Sequence, residues 1–262
     1  EALIDFAGAG NLVFQGHSGG SPLNSAVACA RLGQPTGYLT QLSTDLFGEH
    51  LLNEMQANGI DTRFVTRSDD PSTIAFVQRS PTTNRYAFYA AGSADSRWQP
   101  AQLPELPATC RFVHFGSISL LQDPAASSIT DFIESNAGKR VIVFDPNVRL
   151  SLIKDLSVYR QRVQRWLKST DLLKLSDEDV ETLVPGASLD EAGAKLLESG
   201  PKAVVITRGG EGAVLYRKGH APMPIVAPKI KVADTIGAGD TFTAGLSVAL
   251  LNQGVVEAAQ LG

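Results

Sequence analysis

The segment Asp234-Thr235-Ile236-Gly237-Ala238-Gly239-Asp240-Thr241-Phe242 carries the residues with the clearest capacity for chemistry. Gly237 and Gly239 let the backbone turn tightly, so that the N–H groups of Gly237, Ala238 and Gly239 can point into one concavity. A helix of small residues over 241–251 is predicted to begin there, and its positive end favours a phosphate. A carboxylate at the same spot, Asp240, can take a proton from an alcohol while the amides hold the phosphoryl group it attacks. Phosphoryl transfer asks mainly for that positioning and for charge neutralisation. A bare G-x-G-D string would be read more simply as a glycine-rich loop with Asp240 as helix N-cap; the nine-residue string is far more specific.

Elements suited to carry this loop alternate along most of the chain. Short apolar runs at 112–117, 141–145, 172–176 and 203–207 have the character of strands buried on both faces. Helical patterns at 125–136, 158–169 and 189–198 lie between them, so the fold class is α/β with a mostly parallel central sheet. The first third departs from this rhythm. Strand-like runs at 72–79 and 85–90 are joined by the turn signal Ser80-Pro81-Thr82-Thr83-Asn84, and 10–16 can add another strand. Together they read as a small inserted β lid over a substrate. The expected division is therefore residues 1–9, 18–62 and 91–262 as the core, with 10–17 and 63–90 as the lid. A helix over 45–58 ends at Gly59. Ala2–Phe6 reads as the middle of a strand and the last helix stops at Leu261-Gly262, so residues are expected to be missing beyond both ends.

Composition narrows the classes. The chain has 262 residues, a formal net charge of −4 and 43% hydrophobic residues, as a globular protein does. No basic tract with interleaved aromatics suggests nucleic acid. No apolar run approaches the ~20 residues of a membrane span and no signal peptide opens the chain, so a cytoplasmic location is expected. Cys29 and Cys110 read as separate buried thiols, and His17, His50, His114 and His220 have no metal-ligand spacing. Gly8-Ala9-Gly10 begins like a dinucleotide fingerprint, but Val13 holds the third glycine position. With no G-x-x-x-x-G-K-[ST] loop present, the phosphate site is placed at Asp240.

The string Asp234–Phe242 resembles the C-terminal signature of the ribokinase, or PfkB, family of carbohydrate kinases. Gly19-Gly20-Ser21-Pro22-Leu23-Asn24, running into a helix ended by Gly33, resembles the N-terminal one. Further similar strings follow in the family's order: Gly116-Ser117-Ile118, Asp145-Pro146-Asn147-Val148-Arg149, Lys174-Leu175-Ser176-Asp177-Glu178-Asp179 and Thr207-Arg208-Gly209-Gly210-Glu211-Gly212. Glu1–Phe6 is similar to the opening of bacterial fructokinases.

This resemblance implies a ribokinase-like three-layer α/β/α fold with the β lid, and ATP, Mg²⁺ and K⁺ as cofactors. It implies Asp240 as catalytic base, the Gly237, Ala238 and Gly239 amides as anion hole, and Arg149 neutralising phosphate charge. Asp5, Gly19, Gly20, Asn24 and Tyr89 would hold the sugar; for Asn24 a helix N-cap is the plainer alternative. Lys174, Thr207, Gly209 and Gly212 would line the nucleotide. Asp179 would act on Mg²⁺ through water, with Ser176 standing where an asparagine is usual. Asp234 and the Ile236 carbonyl would bind a monovalent cation, its other ligands falling beyond Gly262.

The implied reaction is phosphoryl transfer from ATP to a hydroxymethyl group of a ketose, fructose first. 2-Keto-3-deoxygluconate and aminoimidazole riboside are alternatives, and a homodimer through the lid is the expected assembly. Lid residues Phe76, Arg85, Tyr86, Phe88 and Tyr89, with Ser117, are expected to set specificity. A non-catalytic sugar-binding regulator on the same scaffold would not need Asp240, Gly237, Gly239 and Arg149 together; all four are present.

Overall fold

The computed structural model describes residues 1–78, 85–231 and 235–262. They form two compact units, Glu1–Pro104 with Gln122–Ser128, and Glu105–Leu121 with Ile129–Gly262. In the first unit the opening apolar run extends into β1 (Leu3–Gly10), and β2 (Val13–Gly19) returns antiparallel to it. There follow α1 (Ser21–Arg31), β3 (Thr40–Ser43), α2 (Leu46–Ala57), β4 (Val65–Ser68), β5 (Ile74–Gln78) and β6 (Arg85–Tyr89). Strands β3 and β4 pair with each other, while the other four form one sheet in the order β2-β1-β5-β6.

A boundary expected between residues 9 and 10 therefore falls inside a strand. β1 is hydrogen-bonded along both edges, to β2 and to β5, so Asp5 belongs to the small sheet and not to the central one. The turn expected at 80–84 lies outside the described residues. One face of the sheet joins Ile4 and Phe6 to Leu23, Leu51 and Met55 in an apolar core. Helix α2 matches its expected ends because Asp45 accepts from the N–H groups of Phe47 and Gly48, at 3.0 and 2.8 Å.

In the second unit the four apolar runs become parallel strands: β7 (Phe112–Gly116), β8 (Val141–Asp145), β9 (Leu172–Ser176) and β10 (Ala203–Thr207). Helix α3 (Ala125–Asn136), whose first four residues are assigned to the first unit, and α4 (Leu156–Leu167) precede β9; α5 (Asp177–Leu183) and α6 (Leu189–Glu198) follow it. Antiparallel β11 (Ala213–Arg217) and β12 (Met223–Ile225) complete a six-stranded sheet, and α7 (Ala238–Asn252) follows.

Strand alternation then assigns the faces. Val141, Val143, Leu172 and Val205 pack with Phe242, Leu246 and Leu250 of α7. On the other face Phe144 stacks on Phe115 at 4.7 Å and meets Trp166 of α4 edge-on at 5.9 Å. The Trp166 indole donates to Thr130 of α3 at 2.8 Å. On the same face Gly193 of α6 lies so close to Tyr216 that a Cβ there would be 2.6 Å from the ring. The layers are α/β/α, as the sequence implies. No helix among the described residues is long and apolar enough to cross a membrane.

Candidate active site

Helix α7 starts at Gly237, whose φ of 73° is left-handed and suits a residue without a Cβ. The first helical bond runs from the Thr241 N–H to the Gly237 carbonyl at 2.9 Å. Asp240 is thus the third residue of the helix rather than its cap, and it is 6% exposed. Asn147, left-handed at φ 39°, donates from Nδ2 to Asp240 Oδ1 at 3.3 Å. The Ala238 amide donates to the Thr235 carbonyl at 3.2 Å. One of the three expected anion-hole amides is therefore engaged by its own turn. The first-turn N–H groups, Gly237 and Gly239 among them, have no acceptor within the helix itself.

Beneath this loop lies a buried ion pair. Lys174 Nζ is 2.9 Å from Asp145 Oδ2, with side chains 5% and 1% exposed. The Thr243 hydroxyl of α7 lies between two acceptors, Asp145 Oδ2 at 3.0 Å and the Gly239 carbonyl at 3.1 Å. Asp145 Oδ1 has no protein partner. Burial pushes the Asp145 carboxyl up to about 6, against the pull of the Lys174 ammonium, and the nearby Asp179 and Asp240 charges add to the rise. Deeper on the same face His114 has a sealed, unpartnered Nε2. Burial and the Lys174 charge hold its imidazole down at about 4, so the ring is neutral.

Asp179 is fixed by a capping box at the start of α5. Ser176 N–H and Oγ donate to its Oδ2 at 2.9 and 2.8 Å, and the Val148 N–H donates to its Oδ1 at 2.8 Å. This bond ties the Asp145–Arg149 loop to the end of β9. Arg149 is half-buried, its Nη1 turned onto the Asn147 and Val148 carbonyls of its own loop at 3.3 and 3.1 Å. Thr207, Gly209 and Gly212 shape the β10–β11 turn; a Cβ on Gly212 would lie 1.9 Å from the Ile225 carbonyl oxygen. Lys174 is not beside them at the surface but buried under Gly239. Ile236 is exposed, and Asp234 lies outside the described residues.

The residues expected to hold a sugar are in the first unit. Asp5 owes its place to Gly19, where a Cβ would come within 2.1 Å of Asp5 Oδ2. Gly20, at φ 103°, is the N-cap of α1, and the Asn24 N–H donates to its carbonyl at 2.9 Å. Asn24 is therefore inside the first turn and is not the cap that its residue type alone suggests. Register separates Tyr89 from these residues. His17, Asp5, Ala75 and Phe88 form one row across the sheet, whereas Tyr89 pairs with Ile74 in the adjacent row and points to the other face. There its ring meets Phe76 edge-on at 5.9 Å. A pocket of about 310 Å³ beside β5 and β6 is lined by Ile74, Phe88 and Tyr89 among others, with no carboxylate, lysine or arginine in its wall.

The profile of the pfkB family carbohydrate kinases matches residues 13–262. The chain belongs to that family. A fructokinase of Rhizobium leguminosarum bv. trifolii is 38% identical to this kinase over 254 residues, 95% of this chain and 78% of the relative. The fructokinase of Vibrio cholerae, solved with fructose, ADP and a calcium ion, superimposes with a TM-score of 0.87 at 25% identity, covering 95% of this chain and 82% of that one. The fructokinase of Xylella fastidiosa with bound ATP gives 0.87 at 26% identity, covering 100% and 82%.

Within this kinase, no cluster of three or more His, Cys, Asp or Glu among the described residues forms a metal cage. Asp179, both oxygens already oriented by N–H and O–H donors, suits a role outside the inner shell of a cation that keeps its waters. Sequence reasoning did not find the Asp145–Lys174 pair, Asn147 as Asp240's partner, or Thr243. A lysine inside the apolar run Leu172-Leu173-Lys174-Leu175 is the signal that could have found the first, since a buried ammonium demands a buried partner.

Proposed function

We propose that this kinase transfers the γ-phosphoryl group of ATP to a hydroxymethyl group of fructose. The observation that carries the reading is Asp240, a buried carboxylate in the first turn of α7 beside a glycine-built turn, in a chain 38% identical to a fructokinase. Asp240 accepts the proton of the sugar hydroxyl as its oxygen attacks phosphorus, and Asn147 keeps that carboxylate oriented. The Gly237 and Gly239 amides and the positive end of α7 stabilise charge on the transferred group. Arg149 swings from its own carbonyls to phosphate oxygens, for which its donor fork is suited. Mg²⁺ bound with the nucleotide would neutralise phosphate charge, with Asp179 ordering its water shell. K⁺ near Ile236 and Asp234 belongs to the same reading.

The small sheet is the sugar platform and lid in this reading. Asp5 and Asn24 accept and donate hydrogen bonds to sugar hydroxyls. Strands are about 4.8 Å apart, so Asp5 and Phe88 flank a gap of roughly 10 Å over Ala75, wide enough for one sugar ring. Phe88, and not Tyr89, is the aromatic residue of that face. Leu12 and Val13, 89% and 60% exposed at the tip of the β1–β2 turn, suit the lid-to-lid homodimer. The cytoplasm supplies both substrates. A coupled assay of ATP turnover over a panel of fructose, 2-keto-3-deoxygluconate and aminoimidazole riboside, with and without K⁺, tests the whole. Fructose is expected to give the highest kcat/KM; turnover with none of the three would end the fructose reading and its two alternatives.

A further inference from the structure

We propose that the buried Asp145–Lys174 pair and the Thr243 hydroxyl form a brace that holds the Gly237–Asp240 loop from beneath, making Lys174, Asp145 and Thr243 positioning residues for phosphoryl transfer. The proposal rests on the kinase reading above and deepens it: Lys174 acts through the loop and not on the nucleotide.

Three observations converge. The first is connectivity. Lys174 donates to Asp145 Oδ2, Thr243 is within bonding distance of the same oxygen, and Thr243 also reaches the carbonyl of Gly239. A chain of short contacts thus runs from the ends of β8 and β9 to the loop that carries Asp240. The second is proximity. A Cβ on Gly239 would stand 2.9 Å from Lys174 Nζ, so the ammonium lies directly under the backbone of that residue. Its charge favours an anion held by the loop above it. The third is economy of structure. A buried ion pair is weak evidence for stability, because well-packed apolar residues of similar volume serve a fold equally well. Asp145 also leaves Oδ1 without a protein partner, which a purely structural carboxylate would be expected to satisfy.

Thr243→Val removes the link to Gly239 while keeping shape; Thr243→Ser retains it. Asp145→Leu/Lys174→Met removes both charges together and avoids stranding either one. Hydrogen exchange of the full-length chain is followed in peptides spanning 235–243, beside melting temperature and steady-state kinetics with ATP and fructose. In Thr243→Val and the double variant, exchange of the loop amides is expected to quicken about tenfold or more. In both, kcat should fall about tenfold with KM for ATP and fructose within about twofold, and Thr243→Ser should restore both readouts. The double variant is expected to melt no lower than the parent chain. Unchanged loop exchange in Thr243→Val overturns the brace whatever the activity does. A raised KM for ATP at constant kcat also overturns it, by placing Lys174 on the nucleotide. Absence of sugar-dependent turnover in the parent chain removes the kinase reading and the catalytic purpose with it, while the exchange data still decide whether the three residues hold the loop.

Discussion

The Asp240 end of this kinase and its small sheet are built on opposite plans. Around Asp240 the polar side chains fix one another: Asn147 holds Asp240, the Val148 amide and Ser176 hold Asp179, and Lys174 and Thr243 converge on Asp145. In the small sheet Asp5, Ala75 and Phe88 are brought onto a common row by strand register. A transition state with spread charge demands donors that do not move, which an interlocked network supplies. Choice among sugars needs a surface that can change one residue at a time without disturbing that network. The first plan should make substitutions act on kcat, and the second should make them act on KM.

The largest expected effect tests the first half. Asp240→Asn keeps the shape of the first turn but cannot take a proton, so kcat should drop roughly 10²- to 10⁴-fold. KM for the sugar should change little, as should fructose binding by calorimetry. A variant retaining a tenth of the activity would mean that Asp240 only caps the field of α7.

A matched pair of glycine substitutions breaks the two plans separately. Gly239→Ala brings a methyl group to 2.9 Å from the buried Lys174 ammonium, which must shift away from its place beside Asp145 to admit it. Gly19→Ala places a methyl group 2.1 Å from Asp5 Oδ2 and expels the carboxylate from its niche. About a tenfold loss of kcat is expected from the first, and about a tenfold or greater rise in sugar KM from the second. If both moved the same parameter, the distinction drawn between the two regions would be lost.

The sequence displayed these two regions unequally. The strands at 141–145, 172–176 and 203–207 were legible because runs buried on both faces are continuously apolar, and their limits match the structure. The Asp240 loop was legible because its glycines and carboxylate are contiguous. α5 was missed: seven residues, three of them acidic in its first turn, are too few and too polar for apolar periodicity to register. The allotment of β1 to the core failed for another reason. An apolar run shows that a strand is buried, but which strands flank it depends on partners distant in sequence, here β5 some 70 residues on. Tyr89 shows the same limit. A one-residue step along a strand exchanges faces, and only the Ile74–Tyr89 and Ala75–Phe88 pairings reveal which aromatic ring shares Asp5's side.

That pairing gives a smaller effect that sharpens the comparison. Phe88→Ala should raise the KM for fructose several-fold, whereas Tyr89→Ala should leave it within about twofold, since Tyr89 lies on the opposite face, where its ring packs against Phe76. Steady-state kinetics on both variants decide between them. Equal effects would mean that the sugar does not lie over the Asp5–Ala75–Phe88 row.

The smallest expected effect is on stability, and it turns on His114 and Asp145. His114 is held neutral by burial and by Lys174, its value lowered from 6.5 to about 4. Between those values the unfolded chain binds a proton that the folded chain refuses, so this group removes stability as pH falls through the window. Asp145 acts in the opposite sense. Burial raises it from 3.8 to about 6, so the folded chain binds the extra proton there and gains stability as pH falls. The two contributions offset each other in the parent chain. His114→Gln removes one of them and leaves Asp145 unopposed. Its melting temperature, compared at about pH 6.5 and pH 4.5, should therefore fall less on acidification than that of the parent chain, by a margin on the order of 1–3 kcal/mol in stability. Asp145→Asn should show the reverse, a steeper fall. Identical pH slopes in all three proteins would show that neither group titrates differently in the folded and unfolded states.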